Sequence, residues 1–262
     1  MRAAASGLRG RRRLVGGRRR AEHSFGDLGA DLWRRAFLHH WRREASGVLP
    51  GSGRRVVEQA TASARQRFDT RRPAVPDRQG LAIVGVGSLI VAAYETLVAE
   101  GVEPAVAFEA ARRAFLTTFR TPTKLMTRVL LAMSRDPVLS LSEGSFLRRA
   151  RTVFGTSMGF DQVDADDRVT LVVTGCAFHQ FFVEEGQPLL TRIVCEADRS
   201  WMDTANASRR PIRMERPRTI STGADCCEFV QVRSSNKADE ADDVVLVRRP
   251  EVSVALRSID ER

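Results

Sequence analysis

Arg168-Val-Thr-Leu-Val-Val-Thr-Gly175-Cys176-Ala-Phe-His179-Gln-Phe-Phe-Val-Glu-Glu-Gly186 changes its period partway along. The first half is β-branched, as a half-buried strand requires. The second half, from Cys176 to the stop at Gly186, has its apolar residues at helical spacing. A strand running directly into a helix, after a long stretch that is helical throughout, implies an α+β fold: helices first, then a small antiparallel sheet with two helices.

Upstream of this stretch, Asp27 to about Met158 reads as helix. Asp27 or Ser24 can cap a first helix in which Leu28, Leu32, Trp33, Ala36, Phe37, His40 and Trp41 recur at spacings of three and four. A basic helix over 54–68 follows, then the loop Arg71-Arg-Pro-Ala-Val-Pro. A buried helix over 80–100 ends at Gly101, and Pro104 opens another that runs to Phe119. Two more are expected over 122–133 and 141–156. Downstream, Pro188 starts a helix that reaches Asn206, and strands are expected within 210–220 and from Cys226 to Arg233. The expected organisation is an Arg-rich tail without structure (1–23), a helical region (24–158), an α+β region holding the cysteines (159–233), and a C-terminal tail, partly disordered, with one strand candidate at Val244–Val247 (234–262).

Composition narrows the function classes. The formal charge is +10, yet eight Arg and a single acid place +7 of it in the first 22 residues, so the body is near neutral. Nucleic acid is expected to meet no part of the chain but this tail, through salt-dependent phosphate contacts. The alternative is a tail without a role or an overextended gene start. Leu14-Val15 is too short an apolar stretch for a secretion signal. The run Leu81–Tyr94 falls short of the ~20 residues that span a bilayer, so no membrane span is expected. The thiols are accordingly expected in a reducing cytoplasm. No sequence signal speaks to oligomeric state.

Two motifs are set aside. Gly85-Val-Gly87 imitates a dinucleotide-binding turn but lacks both the preceding strand and a placed acid, so close helix packing explains it better. His39-His40 and the neighbouring Arg34, Arg35, Arg42 and Arg43 read as a solvated helix face.

The cysteines carry the chemistry. Cys176 and His179 are three apart, as are Cys195 and Asp198, and Cys227 stands where a turn meets a strand, beside Glu228. Residues at i and i+3 share a helix side, and a thiol near an imidazole or a helix N-terminus becomes nucleophilic. Any single one of them could equally be a small core side chain. The pattern Cys176-x-x-His179-x-Phe181, Glu185-Gly186-x-Pro188-x-Leu190, Cys195-x-x-Asp198, Arg218-Thr219-x-x-x-Gly223 and Cys227-Glu228-Phe229 resembles the L-2-amino-thiazoline-4-carboxylic acid hydrolase family. Glu228 stands where the family pattern has Asp, and Cys226 is an extra thiol.

The resemblance implies a hydrolase that opens a small cyclic amidine-like substrate to an N-carbamoyl amino acid. It implies catalytic roles for Cys176, His179, Cys195, Asp198 and Cys227: Cys176 or Cys227 as nucleophile, His179 as general acid/base, and Asp198 as its partner. Arg218 would anchor the substrate carboxylate. No cofactor is required. Zinc is the alternative, held by Cys176, Cys195, Cys227 and His179, although no C-x-x-C is present. The other class of reading is a non-catalytic small-ligand binding or sensor protein with a cysteine-lined pocket.

Overall fold

The computed structural model describes residues 25–134, 145–165 and 168–234. The Arg-rich tail and Val244–Val247 lie outside the described residues. The described chain is α+β, as the sequence implies. Its helices are α1 (Phe25–Val48), α2 (Gly53–Arg71), α3 (Arg78–Ala99), α4 (Pro104–Met133), α5 (Ser145–Phe154), α6 (Ala177–Glu184), α7 (Thr191–Ala197) and α8 (Arg199–Asn206). Strands β1 (Gly159–Asp164), β2 (Arg168–Gly175), β3 (Arg213–Glu215) and β4 (Cys227–Val232) form one antiparallel sheet in the order β1-β2-β4-β3.

The largest core lies among α1–α4. On α1 the buried row is Phe37, Trp41 and Ala45, with Trp33 packed beside it, whereas Leu32 on the other side is exposed. Helix α3 is the centre, and Ile90, Val91, Ala93 and Leu97 are sealed from solvent. It is long and apolar enough to cross a membrane by length and composition, longer than the run seen in sequence, and here it packs against α2, α4 and α6. Asp77 caps it, its carboxylate accepting from Gly80 N–H at 2.6 Å, and Gly101 at φ 82° follows its end. Gly87 is required by α6: a Cβ there would lie 2.6 Å from the Phe181 ring. That contact gives Gly87 a packing role, and Phe181, Phe182, Leu190 and Ile193 complete the same core.

Two expected boundaries move. The helices expected over 104–119 and 122–133 are one helix, α4, with Pro122 inside it. A mid-helix proline removes a hydrogen bond and costs roughly 3 kcal/mol, and here packing overrides it. Ala110, Ala111, Ala114, Phe115 and Thr118 bury one stripe before the proline, and Thr127 and Leu131 continue the packing after it toward α8. The helix expected over 188–206 is instead a 3-10 turn, Pro188–Leu190, followed by α7 and α8, which meet at Asp198.

The sheet carries the smaller core. Val169, Leu171 and Val173 of β2 point inward and pair with Gln231, Phe229 and Cys227 of β4. Strand β1, which the sequence did not signal, adds Phe160 to that layer beneath α5. The inward face of β4 therefore begins at Cys227.

Candidate active site

Cys176 ends the β2-to-α6 connection and is the N-cap residue of α6. Burial pushes its thiol up to about 11, and the N–H groups of His179 and Phe178 at the start of α6 pull the other way without a side-chain capping bond. Cys176 is therefore a thiol at neutral pH. His179 lies on the first turn of α6, and its Nδ1 is 3.1 Å from Thr191 Oγ1 on α7. The imidazole is thus engaged with a buried hydroxyl, not with Cys176.

Cys195 on α7 and Cys227 at the start of β4 are both buried and face one another across Thr219. Thr219 Oγ1 is 3.8 Å from Cys195 Sγ and 3.5 Å from Cys227 Sγ. Ile220 N–H donates to Cys227 Sγ at 3.2 Å, in the short turn that follows Thr219. Cys227 is held well below the ordinary thiol range, first by the neighbouring Cys195 thiol, then by Thr219, Ile220 N–H and the charge of Arg216, against a desolvation that opposes them. Cys195 is pushed up, first by the neighbouring Cys227 sulfur and then by burial. The pair therefore divides into one thiolate and one thiol.

Asp198 sits at the α7–α8 junction. Arg216 Nη1 donates to its Oδ2 at 3.2 Å and to the Cys195 carbonyl at 2.6 Å, and Trp201 Nε1 lies 3.4 Å from its Oδ1. Solvent reaches 35% of the Asp198 side chain. Desolvation still dominates and raises its carboxyl to about 6, with Arg216 and Trp201 pulling the other way. Cys176 and Cys227 act on each other electrostatically, as each does on Asp198, so both thiols and the carboxyl belong to one group.

Arg218 is elsewhere. It is about half exposed and paired with Asp225 and Glu228. Glu228 follows Cys227 on β4, so the pleat turns it to the opposite face of the sheet, and Arg218 goes with it. The cation beside the thiols is Arg216, whose guanidinium also lies 5.8 Å from the centre of the Phe229 ring. Its placement was not readable in the sequence, because one alternation puts Ile212, Met214, Arg216 and Arg218 on the same side. Thr219 had a signal only as part of the Arg218-Thr219 motif. Glu185 of the same pattern has a structural role, accepting from Arg67 at 2.8 Å and Arg71 at 2.7 Å and so tying the end of α6 to α2. Cys226 lies 3.9 Å from Glu228 Oε1, away from the cluster.

The alternative zinc set is not assembled. Among the described residues no group of three or more His, Cys, Asp or Glu is arranged to hold a metal ion, and His179 is turned to Thr191.

A family model described as L-2-amino-thiazoline-4-carboxylic acid hydrolase matches residues 86–230, more than half of the chain. No curated protein matches. Among solved structures the chain is similar to the Fe(II) unliganded H-NOX protein from K. algicida, at 10% identity and a TM-score of 0.32, over 77% of this chain and 96% of that one. A mutant of that protein gives 10% identity and a TM-score of 0.30 over 77% and 97%. TM-scores this low establish no common fold.

Proposed function

Because the chain belongs to the L-2-amino-thiazoline-4-carboxylic acid hydrolase family, we propose that it hydrolyses a small cyclic amidine of that type to an N-carbamoyl amino acid, with Cys227 as nucleophile. The observation that carries this reading is the surroundings of Cys227: Ile220 N–H donating to its sulfur, the Thr219 hydroxyl at 3.5 Å and the neighbouring Cys195 thiol, beside the charge of Arg216. Such a set stabilises a thiolate, which is the reactive form.

In the proposed sequence the Cys227 thiolate attacks the ring carbon between nitrogen and sulfur. The carbon–sulfur ring bond breaks, and the leaving sulfur takes the proton of Asp198, whose carboxyl near 6 keeps a protonated fraction available. The amidine carbon is then held on Cys227 as an isothiourea. Water attacks that carbon and gives a proton to the Asp198 carboxylate. The bond to Cys227 breaks, restoring the thiolate and releasing the carbamoyl product. Arg216 takes the anchoring role expected of Arg218, because its charge lies beside the thiols and its planar fork suits a carboxylate. His179, held by Thr191, positions the first turn of α6 and with it Cys176.

The test is incubation with 2-amino-thiazoline-4-carboxylate, with the carbamoyl product followed by chromatography. Turnover is expected from the unmodified protein and is expected to fall at least about a hundredfold in Cys227→Ser. Turnover unchanged in Cys227→Ser would refute covalent catalysis. No turnover, together with a ligand-dependent rise in melting temperature, would favour a binding protein.

A further inference from the structure

The geometry points to a second chemistry at the same thiols: we infer that Cys195 and Cys227 form a reversible peroxide-oxidised modification site, closing to an intramolecular disulfide that removes the nucleophile. The bond formation does not depend on the hydrolase reading, whereas its consequence for turnover does.

Three features carry the inference. First, the two sulfurs meet one hydroxyl, Thr219 Oγ1, at 3.8 and 3.5 Å, and each is the largest influence on the other's protonation. Two thiols on one hydroxyl belong to one small cluster, and rotation of their side chains is the movement that closes the S–S length of about 2 Å. Second, they differ in state. Cys227 accepts from Ile220 N–H at 3.2 Å and meets the Thr219 hydroxyl at 3.5 Å, beside the charge of Arg216, and is the thiolate that attacks a peroxide, while Cys195 keeps its proton and waits as the resolving thiol. Third, the other thiols are poorly placed to compete. Desolvation keeps Cys176 protonated at the start of α6, and the side chain of Cys226 turns toward Glu228. All four cysteines are free in this structure, so the reduced form is the one described.

The chemistry balances with a hydroperoxide as oxidant. The Cys227 thiolate attacks the distal peroxide oxygen, the O–O bond breaks, and an alkoxide or hydroxide leaves with a proton as alcohol or water. Cys227 is now a sulfenic acid. Cys195 sulfur attacks it, the S–S bond forms, and the hydroxide expelled takes the Cys195 proton as water. Two thiols are oxidised by two electrons and one peroxide is reduced.

The experiment uses the reduced full chain and one equivalent of hydrogen peroxide, without substrate. Thiols are counted in denaturant, and tryptic peptides are mapped without reductant. The expected result is a fall from four reactive thiols to two, with peptide 193–199, which holds Cys195, joined to peptide 219–233. The same joining is expected in Cys226→Ser, which assigns the bond to Cys227. In Cys195→Ser, Cys227 is expected to stop at the sulfenic acid and to react with dimedone. Loss of no thiols, a bond from Cys176 to Cys227, or oxidation of Cys176 alone would each overturn the inference. Disulfide formation in a protein without turnover would defeat the proposed reaction alone, and turnover without the disulfide would defeat this inference alone. Where both hold, turnover is expected to fall at least tenfold on oxidation and to return with dithiothreitol.

Discussion

Replacing Asp198 by Asn removes a charge while keeping the shape, and its effect on stability and on rate can be worked out from its surroundings. Desolvation raises the carboxyl from 3.8 to about 6. At 1.36 kcal/mol per pKa unit, that difference is at most about 3 kcal/mol of penalty for ionising in the folded state. Solvent reaches 35% of the side chain, so screening reduces the figure to roughly 1–1.5 kcal/mol. The sign follows from linkage. A folded pKa raised above the unfolded one means that the protonated carboxyl stabilises at low pH, and that this contribution is lost as pH rises through about 6. Asp198→Asn is therefore expected to be more resistant to urea than the parent at pH 7.5, and to match it below about pH 4. Its turnover should be largely lost. In the parent, the protonated fraction of Asp198 falls about fifty-fold between pH 6 and pH 8, and turnover is expected to fall with it. Urea midpoints across pH, beside product assays, measure both. A variant less stable than the parent at pH 7.5 would refute the reasoning, because it would mean that Asp198 is ionised and net-stabilised by Arg216.

Asp77→Ala should lose about 2 kcal/mol in urea unfolding, since it removes the cap on Gly80 N–H and the 2.6 Å bonds from Thr156 N–H and Oγ1. The Thr156 hydroxyl, then the Gly80 and Thr156 N–H groups, hold this carboxyl below its usual range. Its contribution is therefore present at neutral pH and lost as pH falls through the lowered value, so the deficit should shrink in acid. Gly87→Ala separates propensity from packing. Propensity alone predicts a gain of about 1 kcal/mol, but the new methyl meets the Phe181 ring at 2.6 Å, so a net loss of about 1–2 kcal/mol is expected. A rise in the melting temperature would show that α3 and α6 do not press together there.

Local sequence was enough for the helices α1–α3 and α6, because an apolar stripe at helical spacing must be buried wherever the helix goes. It was enough for β2 and β4 as well, whose β-branched runs suit a pleated, half-buried layer. It did not reveal β1: Gly159-Phe-Asp-Gln-Val-Asp is mostly polar, and only Phe160 is buried, so pairing with β2 makes it a strand. Nor did it reveal that α4 continues through Pro122, since the packing that offsets the proline comes from distant segments.

The site divides along the same line. The pairs Cys176/His179 and Cys195/Asp198, with Cys227, could be read as candidates from spacing and pattern. Which thiol is the thiolate could not, because the groups around Cys227 come from the turn at Thr219–Ile220 and from Cys195 on α7, and strand pairing fixes where Cys227 lies. The exchange of Arg218 for Arg216 has a similar cause. Both arginines flank Pro217, but the face of β4 that each meets depends on register, and register is a property of the paired strands and not of either alone.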